Sequence, residues 1–500
     1  MIKITVSKET TWITEPLNAD GTPNYVAAVN SLYGQGVTPE NNAAVVLLQA
    51  LGPGMLKNPG TLGQVCALLH VPPPPAEGEY FVPFPEYARS QLPEDEGPVI
   101  LHTWDHLKAR VTEPWQSRDD PLVAGWIEAN ARSLDMAVAA SRRERLFVPL
   151  VSSSDPPTLS DCFDNHRSSA AGDLLQALTA RAMLRLGHGQ VESASADILA
   201  LHRWGNLMSQ GPFFTDVMIG MTLDNRASNA DGAMARSGQA TGAQLRRHLA
   251  EMASMPEQAR MIEIWDGPDR LSGLDQWVLW ARTSVREVIA AMRSMPMAVL
   301  LLPYPPESLP DYPLDWDEAM RMENARTDRL VAAWRLPTFR QRVEAAKALR
   351  AETDKIIGRK KKAYARKMVK LVKANRGRDP AKITRAMFHY LVGCYGMSEE
   401  GVLTVEEKAH ALRRLAVVSL ALAVWRAEEG GYPDKLDALS PTVLKAIPSD
   451  PFTDKPLIYR RAGEGYVFYS VGPNMTDDGG VGSSEEKKGA DDINLDDRPK

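Results

Sequence analysis

Residues 430–461, GGYPDKLDALSPTVLKAIPSDPFTDKPLIYRR, decide how the C-terminal part of this chain is read. Two glycines stop whatever helix precedes them, and Tyr432-Pro433 turns the chain. PSDPFTDKP is turn chemistry throughout: the Asp450 side chain can bond nearby backbone, and Pro451 and Pro456 fix φ. LIYRR and YVFYSVG, residues 457–461 and 466–472, are rich in β-branched and aromatic residues, and AGEG joins them as a hairpin loop. Upstream, VEEKAHALRRLAVVSLALAVWRAEE is apolar enough to look membrane-like. Its longest apolar run, Leu415 to Trp425, falls short of the roughly 20 residues a bilayer needs, so a buried core helix fits it better. The order helix, turns, hairpin predicts one long helix packed on a short antiparallel sheet. DKLDALSPTVLKAI is expected to add a short helical hairpin between them.

Working outward, the chain of 500 residues exceeds one ordinary core. Its hydrophobic (44%) and charged (24%) fractions are those of a globular protein. The net charge of −5 is too small to make the whole chain an electrostatic ligand for nucleic acid, and none is expected as a partner. Cys66, Cys162 and Cys394 are widely spaced and form no CxxC pair, which points to buried thiols. The first residues lack the charged and apolar regions of a signal peptide.

Ile2, Ile4 and Val6 alternate with polar residues, a strand signal. NYVAAVNSLYGQG and TPENNAAVVLLQALGPG read as helices, the second with Thr38 as N-cap and a stop at Gly52. From Asp119 to Ala253 and again from Asp315 to Tyr395 the pattern is helical with short Gly or Pro breaks, without a repeat at a fixed period. The expected fold class is therefore α+β: a mainly α-helical body, as a bundle or irregular helical solenoid, with a small C-terminal domain of one long helix on a short antiparallel sheet. The expected divisions are an N-terminal strand plus helices (1–70), a Pro-rich connector (71–99), the helical body (100–400) and the C-terminal head with its acidic loop (401–500).

Candidate chemistry is sparse. His102 and His106 in HTWDH are spaced for one helix face and could bind a metal, but the zincin glutamate is replaced by Thr103. Asp315, Asp317, Glu318 and Glu323 offer paired carboxylates, which an acid-rich first helical turn also explains. The basic run Arg359 to Lys373, with Ile357, Tyr364, Met368 and Leu371 as an apolar stripe, could lie on an anionic membrane surface.

The segment from about Ala409 to Asp492 resembles the globular head of the type II secretion major pseudopilin family, through a long helix ending in GGYPDKLDAL, then IPSDPFTDKPLIYR, YVFYSVGPN and an acidic Gly-rich loop ending GADDINLDD. The resemblance implies a calcium ion held by Asp477 or Asp478 with Asp491 and Asp492, and the Val471 carbonyl as a further oxygen. Pseudopilins begin with a cleavage site and an assembling apolar helix; here about 400 other residues stand first, so a filament subunit is not expected. The whole layout is similar to planctomycete-type envelope proteins, and SKETTWITEPLNADGTPNYVAAVN looks like their juxtamembrane start. The expectation is a non-enzymatic protein of the cell envelope or periplasm, anchored through a segment upstream of Met1 and binding a protein partner. The residues themselves leave the cytoplasm open. The alternative is a hydrolase using the Asp315–Glu323 acids or His102 and His106.

Overall fold

The computed structural model describes residues 4–91, 103–166, 169–256, 260–282, 314–358, 364, 367, 370–371, 373–375, 378–395, 399–482 and 489–495. The described helices are α1 (Tyr25–Gly34), α2 (Ala43–Leu51), α3 (Leu62–Leu68), α4 (Phe84–Gln91), α5 (Thr103–Arg110), α6 (Pro121–Ala129), α7 (Ala131–Ala140) and α8 (Leu159–His166). They continue with α9 (Ser169–Gly187), α10 (Val191–Met208), α11 (Phe214–Ser237), α12 (Gly242–Ala253), α13 (Met261–Trp265) and α14 (Pro268–Ala281). The last four are α15 (Trp316–Trp334), α16 (Phe339–Ile357), α17 (Pro380–Tyr395) and α18 (Glu399–Glu429). The hairpin is β1 (Ile458–Ala462) paired antiparallel with β2 (Gly465–Tyr469). The α+β class holds: the chain is mostly helical with one small sheet near its C-terminus.

α18 explains the arrangement. Leu415, Ala416, Val418, Leu420, Ala421, Leu422 and Val424 have no exposed surface, and they cover every side of the helix. A helix apolar all round must be enclosed, and α11, α12 and α16 enclose it. Leu436, Leu439, Phe452, Leu457 and Ile493, beyond α18, belong to the same apolar core as the body helices. The head therefore shares its spine with the body. Arg414 reinforces the join by donating to the Ser449 carbonyl at 2.9 Å. Among the described residues, no helix is long and apolar enough to cross a membrane.

A second core joins α1, α14, α15 and α17 through Tyr25, Val29, Leu274, Trp277, Met320 and Phe388. Residues 1–70 are thus split, since α1 packs there while α2 and α3 pack in the main core.

α11 has poor helix formers, with Gly, Asn, Asp, Thr and Ser throughout. Its small residues serve close packing instead. A Cβ on Gly220 would stand 2.5 Å from the Gly205 carbonyl oxygen of α10, and one on Gly205 would stand 2.9 Å from that of Gly220. The two backbones touch at this crossing, and only glycine fits.

Several local expectations change. No strand forms over Ile4–Val6; Thr11 accepts the Ser7 N–H and caps its carbonyl, curling residues 5–13 into a hydroxyl-pinned turn. Ile2 lies outside the described residues. The cap of α2 is Asn42, not Thr38: Asn42 Oδ1 accepts from Ala44 N and from Phe147 N, and its amide donates to the Phe147 carbonyl. Thr38 instead closes a turn with Asn41. The expected helical hairpin after Gly431 is a single 3-10 turn, Leu436–Leu439, with both leucines buried.

Candidate functional site

The C-terminal loops are positioned by β2. Beyond it, Ser470 and Ile493 exchange backbone hydrogen bonds, both 2.9 Å, and this sets the loop 472–481 against residues 489–495. Gly472 (φ +66) lets the backbones meet: a Cβ there would lie 2.8 Å from the Asp491 carbonyl carbon. Val471 is buried and donates its N–H to Asp450 Oδ2 at 2.8 Å, while Asp450 Oδ1 accepts from Phe452 N at 2.9 Å. The expected Asp450 turn is therefore also the clamp that holds the start of the loop.

Both acidic pairs arrive in this double loop. Asp492 is buried; its Oδ2 accepts from Gly480 N (2.7 Å) and Asp478 N (3.0 Å), while its Oδ1 has no hydrogen-bond partner. Asp491 accepts from Asn474 N at 3.1 Å, and the Asn474 amide donates to Asp478 Oδ2 at 2.8 Å and to the Gly489 carbonyl at 2.9 Å. Exposed Asp477 accepts from the Tyr469 hydroxyl at 2.7 Å and from Gly479 N at 2.9 Å. Burial, and then the Asp478 and Asp477 charges, push the Asp492 carboxyl above its ordinary pKa. Burial and Asp478 do the same to Asp491. Hydrogen bonds from Tyr469 and Gly479 hold Asp477 below its usual value. Among the described residues, no three His, Cys, Asp or Glu side chains already stand as a metal cage. The double loop gathers crowded carboxylates and one orphaned buried oxygen.

The other sequence candidates are dispersed. Asp315 caps α15 by accepting from Glu318 N at 3.0 Å. Asp317 accepts from Thr5 N at 2.8 Å, and Glu318 pairs with Arg385 at 2.7 Å. Glu323 accepts from Trp277 Nε1 at 3.3 Å and sits near Asp269, whose carboxyl burial and the Glu323 charge push up to about 6. His102, the His106 side chain, and most of Arg359 to Lys373 lie outside what is described; within that run Tyr364 stacks on Tyr390 and Lys367, Lys370 and Lys373 are exposed. Cys66 and Cys162 are buried free thiols, and the Cys394 side chain lies outside the described residues.

A polar cluster that the sequence reading did not find lies between α10, α11, α12 and α18. His202 Nδ1 is 2.6 Å from Asp224 Oδ1 and its Nε2 is 2.8 Å from Asp231 Oδ2. His248 Nε2 is 2.7 Å from Asp231 Oδ1, and its Nδ1 is 2.6 Å from Ser195 Oγ. Arg413 closes the chain on Asp224 at 2.9 Å. Burial and Arg413 oppose protonation of His202, but Asp224 and Asp231 outweigh them, so its pKa is raised. Burial opposes ionisation of Asp231 and Asp224, yet the cations prevail and both are lowered. Asp224 and Asp231 are thus shared among His202, His248 and Arg413, and Arg413 also contacts His202 Nδ1. A spacing of seven, Asp224 to Asp231 and Ser195 to His202, was the available signal: it puts each pair on one helix face.

Ser195, His248 and Asp231 stand in hydroxyl–imidazole–carboxylate order, and Ser195 borders a cavity of about 170 Å³. However, Asp231 divides its charge between two imidazoles, and His248, though it lines the same cavity, is only 1% exposed. The cavity's Arg203 and Arg247 are paired with Glu251 and Glu192. This is the chemistry of a charge-balanced tie between four helices.

No known protein family, curated protein or solved structure matches the chain.

Proposed function

We propose that the protein is a non-enzymatic binding protein of the bacterial cell envelope, in which calcium organises the C-terminal loops and thereby shapes a contact surface for a protein partner. The carrying observation is Asp492: a buried carboxylate whose Oδ1 has no partner, in a double loop with Asp477, Asp478 and Asp491. A buried unpaired oxygen costs about 1–3 kcal/mol, and crowded carboxylates repel. A hard divalent cation relieves both and favours flexible all-oxygen loops. Asp478, Asp491 and Asp492 would hold it, with Asp477 or the Val471 carbonyl completing the set; Asn474 would release Asp478. The ion would neutralise the loops and cross-link them. The envelope assignment rests on the pseudopilin resemblance.

The loops matter because Gly479 and Gly480 form one rim of a groove of about 580 Å³ between the hairpin and the body. Arg236, Arg426 and Arg460 line it with Tyr432, Tyr466 and Tyr469. Arginine and tyrosine dominate the energetics of protein interfaces, and three arginines suit an acidic partner segment.

Thermal unfolding of the full chain in calcium, magnesium and chelator tests the reading. A ligand at about 100 times its Kd stabilises the native state by about 2.7 kcal/mol. Calcium should raise Tm above the chelator value, magnesium less so, and Asp492→Asn should abolish the shift while leaving the chelator value nearly unchanged. Superimposable curves in calcium and chelator would remove calcium from the account.

A further inference from the structure

A second cavity, about 520 Å³, lies in the helical body away from the C-terminal loops, between α2, α9 and α11. Its walls are mainly apolar, with Leu47, Phe147, Leu175 and Leu223 among them. The volume falls within the range of about 300–1,000 Å³ that small-molecule sites occupy. Polar side chains interrupt the apolar lining, among them Asp173 and Gln176 from α9 and Arg226 from α11. Among the described residues none of these three makes a hydrogen bond or ion pair; Gln176 is buried at 6% exposure, and Asp173 and Arg226 are half-buried. Polar groups set among apolar walls with no partner of their own offer contacts to an occupant.

Arg226 defines its charge. Burial pushes the guanidinium pKa down, and among the described residues no carboxylate pairs with it. Asp216, which also borders the cavity, is committed to the Phe213 N–H at 3.0 Å. An arginine left unpaired at an apolar cavity is suited to a carboxylate or similar oxyanion, which it can meet with two parallel hydrogen bonds. The apolar walls suit a hydrocarbon body. Burial raises the pKa of Asp173, which favours its protonated form and weakens it as a competing charge.

We propose that this cavity binds a single-chain amphiphile through an anionic head paired with Arg226, its apolar tail enclosed between α2, α9 and α11, and Gln176 supplying a polar contact. The inference is independent of calcium and of the C-terminal loops.

Calorimetric titration of the full chain with dodecanoate, dodecanol and dodecylamine, each below its micellar concentration, tests it. Dodecanoate should bind at least about tenfold more tightly than dodecanol, at one per chain. Arg226→Gln should fold and bring the two to equal affinity. Leu223→Trp, which fills the cavity, should abolish binding; if that variant does not fold, the Arg226→Gln comparison still decides. Equal affinity for acid and alcohol in the wild-type chain, tightest binding of the amine, or unchanged dodecanoate binding in Arg226→Gln would each overturn the proposal.

Discussion

Replacing Asp231 by asparagine strikes the centre of the four-helix tie. The change keeps volume and leaves no cavity, so its effect is electrostatic. Asp231 accepts from His202 at 2.8 Å and from His248 at 2.7 Å, and all three side chains have no exposure. The variant removes one buried negative charge from a cluster that also holds Arg413, and it faces an amide N–H toward an imidazole donor. Breaking a buried pair in this way costs about 3–5 kcal/mol, against a typical total stability of about 5–15 kcal/mol. Hydrogen exchange of the α10, α11 and α12 amides reads the loss locally, which suits a chain too long for a two-state assumption. The pH dependence follows from the shifts. Asp224 and Asp231 are lowered, so their contribution is present above the unfolded carboxylate value of about 3.9 and is lost as pH falls through their folded values. His202 is raised, so its contribution is complete below about 6.5 and is lost as pH rises through its folded value. The gap between wild type and variant should be widest between about pH 4 and 6.5 and narrow on both sides. A loss below about 1 kcal/mol there, or a gap that ignores pH, would refute the charge-balanced assignment.

Two further substitutions probe other parts of the fold. Phe452 is 2% exposed and sits edge-on to Phe339 of α16 with ring centroids 4.8 Å apart, so Phe452→Ala should cost about 3–5 kcal/mol and loosen the turn and α16 together in hydrogen exchange. Protection lost in the turn alone would show that the head does not lean on the body. Asp269 holds its proton more tightly folded than unfolded, so its penalty grows as pH rises from about 4 to about 6. Asp269→Asn should therefore stabilise by about 1–3 kcal/mol at neutral pH and have little effect near pH 4; equal Tm changes at both pH values would contradict the raised carboxyl.

Much of the C-terminal fold was legible because its determinants are local. Gly430, at φ +80, ends α18 where the sequence places the stop. Gly463, at φ +59, supports the two-residue turn between β1 and β2. Asp450 bonds the turn that its composition announces. The acidic residues 477–478 and 491–492 could be named as one group from the family resemblance, although how their oxygens are shared among backbone donors could not. The N-cap of α2 was misplaced for the complementary reason: Asn42 is held by the Phe147 backbone, 105 residues away, and no local pattern announces that partner.

By itself, the sequence determined where the chain turns, where its long apolar helix stops, and that this helix must be enclosed, because glycine conformations, proline constraints and the hydrophobic effect act on neighbours in the chain. Only the tertiary structure decided what encloses that helix and which polar groups find one another. α11 is poor in helix-forming residues and becomes central because Gly205 and Gly220 let two backbones touch. Ser195, His202, Asp224, Asp231, His248 and Arg413 are ordinary polar residues until four helices bring them within 3 Å of a partner. Charges in a dry interior interact by distance in space, and spacing along the chain does not set that distance across helices.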